Sequence, residues 1–336
     1  MHNLPSTYRK IVITQPSRNF RQVAKIVEEP IPQLAPNQIL VKNYYAGVNA
    51  SDLNISAGIY FVGSEPPWDT GVEATGEVVA VGENVTNFKV GDHVLTTMLG
   101  GGYREYYAID AAMAIPIPQA SAEITAVSIG ALTASMALSI GGQMTTGETV
   151  LITAAAGGVG HFAVQIAKQA GNHVIGTCSS KEKAELLYEL GCDRVVVYTE
   201  EDLGEALSKE YSQGVDLVLE GVGGETFDAA VDNIAVRGRI VVIGFVSEYK
   251  GNPIEVTQPR IYHKLLWKSA GVRGFLFSDY VGDIPEHMGH VITLFAEGKL
   301  KAIVDPTEFV GLESVPDAVE HLHAGRNKGK IVVRIQ

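Results

Sequence analysis

Residues 150–160 read VLITAAAGGVG. A short apolar, β-branched run leads into glycines at Gly157, Gly158 and Gly160. Beyond them Val159, Phe162, Ala163, Ile166, Ala167 and Ala170 recur at helical spacing, with Gly171 placed to end the helix. Strand, glycine turn and helix in that order open a parallel sheet onto a phosphate-binding loop. Glycines let the backbone turn tightly and approach a pyrophosphate, whose charge the helix N-terminus favours. The spacing is not a strict G-x-G-x-x-G, so the signal for a dinucleotide rests on the strand before the cluster and the helix after it.

Downstream the alternation continues through HVIGTC (173–178), RVVVY (194–198), VDLVLE (215–220) and RIVVIG (239–244), with amphipathic helices between. The strand runs are apolar throughout, as strands covered on both faces are, which makes this a doubly wound parallel sheet. Upstream of residue 125 the character changes to short strands such as KIVIT, QILVKNYYAGVN and GEVVAVG, broken by Pro and Gly turns, which predicts a small all-β domain. PEHMGHVITLFAEGKL reads as a helix and KIVVRI as a final strand, and periodicity assigns this tail to neither domain.

A chain of 336 residues is expected to divide into two domains. Its net charge of −12 argues against a general affinity for nucleic acid or an anionic membrane surface. ITAVSIGALTASMALSIGG (124–142) is uncharged and long enough to raise the question of a membrane span. Its Ser, Thr and Gly content points instead to a buried helix at a domain junction. Two cysteines, Cys178 and Cys192, exclude a disulfide framework and a four-cysteine zinc site and fit a reducing compartment. MHNLPSTYRKIVI lacks an apolar signal core and the C-terminus carries no recognised retention or peroxisomal tripeptide, so cytoplasm is the expected location.

The end of the second strand selects the coenzyme. An NAD site places an Asp or Glu about 20 residues past the glycines to hold the ribose 2′-hydroxyl. VIGTCSS (174–180) contains no carboxylate, and Ser179, Ser180, Lys181 and Lys183 supply hydroxyls and cations suited to a 2′-phosphate. The expected cofactor is NADPH/NADP+, with a plain solvated helix start as the other reading of the lysines.

GVNASD, GVEATGEVVAVGENV, FKVGDHV, ALTAS, AAAGGVG and GKIVV together resemble a zinc-independent medium-chain dehydrogenase/reductase of the quinone oxidoreductase branch. Within it, HVIGTCSSKEK, LGCDR, VVIGFVSEY and GRNKGKIVV are most similar to the prostaglandin reductases. The resemblance implies an α/β chain with a GroES-like β domain plus a Rossmann doubly wound parallel sheet. The GroES-like domain would cover 1–127, the NADP(H)-binding domain 128–302, and 303–336 would return to the first. In related enzymes the nicotinamide lies in the cleft between the domains, and homodimers form through the edge of the Rossmann sheet. Zinc-dependent relatives hold their metal with a cysteine where this chain has Asn49 and a histidine where it has Val72, next to Glu73. Val72 cannot bind a metal and no zinc is expected. His321 and His323 form a bare H-x-H and are read as surface residues.

Residue by residue, the resemblance places NADP(H) at Val159, Ser179, Lys183, Tyr198, Gly221, Ile243, Tyr249, Phe275, Leu276, Phe277 and Asn327, and the substrate beside Asn49 and Tyr60. The activity it implies is NADPH-dependent reduction of the conjugated C=C bond of α,β-unsaturated ketones. A quinone reductase, and a crystallin-like cofactor-binding structural protein, are the other readings. Tyr249 follows the strand RIVVIG at the carboxyl end of the sheet, where ligands of such folds gather. A phenol keeps its proton at neutral pH, so it suits a donor to the oxygen of a developing enolate.

Overall fold

The computed structural model describes residues 4–251 and 260–336, which divide into two compact units. Unit 1 comprises Met1–Ile129 and Val304–Gln336, and unit 2 Gly130–Ile303. The limits expected from the sequence are 1–127, 128–302 and 303–336.

In unit 2 six parallel strands lie in the order Arg194–Val197, His173–Cys178, Thr149–Ile152, Val215–Glu220, Ile234–Val242, Gly271–Gly274. The chain runs outward one way from Thr149–Ile152, then crosses back to start the other half with Val215–Glu220. The carboxyl ends of these two neighbours mark the switch point where such sheets bind ligands. Leu151, Ile175, Leu207, Val218, Val231, Ile234 and Ile240 have no exposed surface, the burial on both faces that the unbroken apolar runs demand.

Unit 1 is built on antiparallel pairing except where Phe309–Val310 runs parallel to Val332–Arg334. Its larger sheet runs Phe309–Val310, Val332–Arg334, Gln38–Gly47, Ala74–Val81, His93–Thr96, Ile115–Ile117, with Tyr106–Asp110 also pairing along Gln38–Gly47. A smaller sheet joins Ala24–Pro30, Thr7–Ile13 and Trp68–Asp69. Periodicity left the tail unassigned, and the structure divides it. The helix Ile284–Ala296 belongs to unit 2, while Val332–Arg334 pairs antiparallel with Tyr45–Gly47 in unit 1.

Ala122–Gly141 is a continuous 20-residue helix of mean hydropathy 1.7, and 83% of its most apolar window is buried. It is the helix among the described residues long and apolar enough to cross a membrane, and here protein surrounds it. The boundary between the units falls inside it. Its turns widen to π geometry at Val127–Ala131 and Ala137–Gly141. In the first of these the Ile129 amide donates to Glu73 Oε2 at 3.0 Å, a side chain inserted into the helical ladder.

Candidate functional site

The strand Thr149–Ile152 ends in a loop closed by Gly157 N–H donating to Ala154 C=O at 2.9 Å, and the helix Gly160–Gln169 follows. A β-carbon on Gly160 would lie 2.5 Å from Ala154 O and 2.6 Å from Ala155 Cα, so only glycine fits where the helix springs from the strand. Gly157, Gly158 and Val159 are half-buried on the open side. His161 N–H donates to Gly157 C=O at 3.2 Å and Phe162 N–H to Val159 C=O at 3.2 Å, so the amides the loop offers a ligand are those of Gly158, Val159 and Gly160. This cradle fits a pyrophosphate, and it is made of backbone.

At the next strand end the parts expected for a 2′-phosphate divide. Ser180 is the N-cap of the helix Lys181–Leu190, its oxygen accepting from Lys183 N–H at 3.3 Å, and exposed Lys181 pairs with Glu200 at 3.4 Å. Both have local structural roles that the sequence reading did not give them. Ser179 and Lys183 stay half-buried at the mouth. Tyr198 is 57% exposed beside them, its N–H donating to Cys178 C=O at 3.1 Å, while Thr199 Oγ1 donates to Ser179 C=O at 3.0 Å.

Across the switch point, fully buried Glu220 organises the loop after its strand. It accepts from Val222 N–H at 2.8 Å and Gly223 N–H at 2.9 Å, and burial pushes its carboxyl above the usual range. Thr153 Oγ1 accepts from Gly221 N–H at 2.9 Å and ties this loop to the glycine loop. Sequence reasoning missed Glu220 and Thr153, although a charge ending an apolar strand was visible in VDLVLE. Gly221 lies where a β-carbon would touch Ile243 at 3.6 Å, so these two come together as expected.

Tyr249 is buried, 6% exposed, with its ring edge-on to Phe245 at 4.8 Å. Its hydroxyl stands 3.2 Å from the place of a β-carbon on Gly244, and Gly221 O is 3.4 Å from that same place. Phe275 turns into the core against Gly141 and stacks on Tyr280 at 5.1 Å, leaving only its backbone for a coenzyme. Leu276 is exposed and Phe277 half-buried. Asn327 sits in unit 1, its amide donating to Gly329 C=O at 2.8 Å within a turn.

Unit 1 carries a second constellation, built from side chains. Glu73, with no exposed surface, and Lys330, 3% exposed, form an ion pair at 2.5 Å. Lys330 Nζ also donates to Asn49 Oδ1 at 2.6 Å, and Asn49 Nδ2 donates to Glu73 Oε1 at 2.8 Å. The other Glu73 oxygen accepts from the Ser128 hydroxyl and from Ile129 N–H. A β-carbon on Gly47 would fall 2.1 Å from Glu73 Oε1, so the glycine of GVNASD makes room for this carboxylate. Beside it, buried Asp52 accepts from Asn49 N–H at 2.9 Å and Tyr103 O–H at 2.6 Å. Burial raises Asp52 to about 6 against the pull of these bonds, and burial with the Asp52 charge holds the Tyr103 phenol well up. Tyr60 is 41% exposed nearby in sequence, after the helix Asp52–Ser56.

This constellation does not fit zinc. Both Glu73 oxygens are engaged, an ammonium already stands against them, and Val72 has no donor. Lys330, Tyr103 and Ser128 were missed because no local spacing links them to Asn49, and Asp52 was missed although it stands three residues on in GVNASD. His321 and His323, read as surface residues, are half-buried instead. His321 lies 3.4 Å from Asp305 and edge-on to Phe309 at 5.6 Å.

Residues 35–119 match the family model described as alcohol dehydrogenase GroES-like domain, and residues 158–296 that described as zinc-binding dehydrogenase. The chain is 43% identical to a probable quinone oxidoreductase of Leishmania amazonensis over 99% of both chains. It is 44% identical to prostaglandin reductase-3 of Bos taurus over 99% of this chain and 90% of that one. Among solved structures, Escherichia coli quinone oxidoreductase complexed with NADPH superposes with a TM-score of 0.85 at 27% identity, covering 97% of this chain and 99% of that one.

Proposed function

The chain belongs to the quinone oxidoreductase branch of the medium-chain dehydrogenases/reductases, and from that premise we propose that it is an NADPH-dependent reductase of conjugated carbonyl compounds, enones foremost. The observation that carries this reading is the backbone cradle at Gly157–Gly160 beside a carboxylate-free strand end bearing Ser179 and Lys183. When bound, NADPH supplies the hydride.

The chain's own residues hold and orient the reactants and offer a hydrogen bond. The amides of Gly158, Val159 and Gly160 bind the pyrophosphate, and the Lys183 ammonium with the Ser179 hydroxyl binds the 2′-phosphate. Tyr198 flanks the adenosine end. The loops at Gly221, Ile243 and Phe275–Phe277 wall the coenzyme. Tyr249 donates its phenolic proton as a hydrogen bond to the substrate oxygen as charge develops there. Asn49 and Tyr60 line the substrate pocket. No metal takes part, because the place of its ligands is filled by the Glu73–Lys330 pair.

NADPH oxidation measured with an enone such as a 15-keto-prostaglandin and with a quinone panel tests the reading. Turnover of quinones alone selects the quinone reductase, and turnover of neither removes the enzyme in favour of a structural role. The same reading makes the chain a homodimer through the outer edge of Gly271–Gly274. Among the described residues that strand pairs only with Ile234–Val242, and Trp267 just before it is 83% exposed. Light scattering that returns the mass of a single chain would sink the dimer. Two buried free thiols, Cys178 and Cys192, support a reducing compartment, here the cytoplasm.

A further inference from the structure

A side-chain amide is nearly symmetric in shape and presents either its oxygen or its NH2 to a ligand, according to what holds it. Asn49 is held at three points. Its backbone N–H donates to Asp52 at 2.9 Å, its Oδ1 accepts from Lys330 at 2.6 Å, and its Nδ2 donates to Glu73 at 2.8 Å. Turning the amide over would set its oxygen against the Glu73 carboxylate and its NH2 against the Lys330 ammonium. Two charge-assisted bonds would be replaced by two repulsive contacts. The polarity of Asn49 is therefore fixed by a charge pair that is itself out of water.

Asn49 is half-buried, while Lys330 and Glu73 are buried behind it. Among the described residues the remaining Nδ2 proton meets Gly47 O at 3.4 Å, a long contact that a better acceptor displaces. We propose that Lys330 is a positioning residue, which with Glu73 locks Asn49 as a hydrogen-bond donor to the carbonyl oxygen of the substrate. The inference rests on the reading of Asn49 as a pocket residue. A carbonyl or enolate oxygen has lone pairs to accept the bond that Asn49 offers. An alcohol gains less, because the locked amide offers its proton and withholds its oxygen.

The test is a cycle of variants in the full chain with NADPH, using 3-nonen-2-one as the probe. Lys330→Met combined with Glu73→Gln removes both charges together and so leaves no bare buried ion. This pair is expected to raise KM for the enone about tenfold with the NADPH Kd unchanged, and Asn49→Ala alone to do the same. Adding Asn49→Ala to the pair is expected to change KM by less than about twofold, because the residue it removes is already unlocked. Losses that multiply would overturn the positioning role while leaving Asn49 in the pocket. An Asn49→Ala variant with wild-type kinetics would overturn both. A second measurement needs no variant: in the wild-type enzyme 2-nonanone should compete with the enone about tenfold more tightly than 2-nonanol. Equal competition would overturn the donor assignment.

Discussion

At the carboxyl ends of the unit 2 sheet, the groups that would meet a coenzyme are mostly backbone, and the sequence provides for them by leaving atoms out. One more carbon on Gly160 would collide with Ala154 and Ala155. The cluster of unit 1 is made the other way. Glu73, Lys330, Asn49, Ser128, Asp52 and Tyr103 bring charge and hydrogen-bonding groups together and bond to one another, with Asp52 Oδ1 left without a partner among the described residues. The first site is broken by adding an atom and the second by removing one. The difference also decides what a sequence reveals. A backbone site has a local pattern, and a side-chain site joins Asn49 to a lysine 281 positions away.

The largest effect expected is in the second site. Glu73→Ala strands the Lys330 ammonium in the interior and should lower stability by about 3–5 kcal/mol in urea unfolding. A loss no larger than that of an exposed salt bridge would contradict the burial described. Tyr249→Phe removes a hydroxyl and little volume, so kcat for an enone should fall roughly 10- to 1000-fold while the NADPH Kd holds. Single-turnover NADPH oxidation at the wild-type rate would reduce Tyr249 to packing.

Asp52 sharpens the contrast through pH. Its folded value near 6 lies above the ordinary 3.8, so the folded state binds this proton more tightly than the unfolded chain. The stability it contributes is present below about 3.8 and lost as pH rises through about 6. Relative to Asp52→Asn, the wild type should therefore gain about 3 kcal/mol between pH 7 and the acid side of that window. A difference between the two proteins that stays flat with pH would rule this out.

In unit 2, Gly160→Ala forces the loop to shift and should cost about 1–3 kcal/mol, read as weaker NADPH binding and a lower Tm. Lys183→Ala is expected to weaken NADPH roughly 10- to 100-fold by fluorescence titration and leave NADH nearly untouched. Equal affinity of the wild type for the two coenzymes would refute the assignment of that strand end.

Legibility from sequence divides along the same line. The alternation from Thr149 onward, the glycine loop and the absence of an acid after His173–Cys178 were legible because each lies within a dozen residues. So was the burial of Ala122–Gly141, from its Ser, Thr and Gly content. The double use of Ser180 and Lys181 was not, since a cap and a lysine–Glu200 pair look like phosphate ligands until the helix start is fixed. The tail was illegible by periodicity for a different reason. Three residues of strand, Val332–Arg334, are too short to show a pattern, and their place is set by Tyr45–Gly47. Lys330 next to them has the same history: its chemistry is conferred by Glu73 and appears only when the two are brought together.

That arrangement has a consequence for how the protein is made. Unit 1 is begun first and finished last, since the strand that completes its sheet and the lysine that neutralises Glu73 leave the ribosome only after the whole of Gly130–Ile303. During synthesis the Rossmann unit has all its strands while its older neighbour still lacks Phe309–Val310 and Val332–Arg334, which reverses the usual N-terminal-first order of domain folding. Until the return segment arrives, the nascent chain holds a carboxylate without its lysine and an open sheet edge at Tyr45–Gly47, next to a 20-residue apolar helix. It is in that interval that the chain has most need of a chaperone.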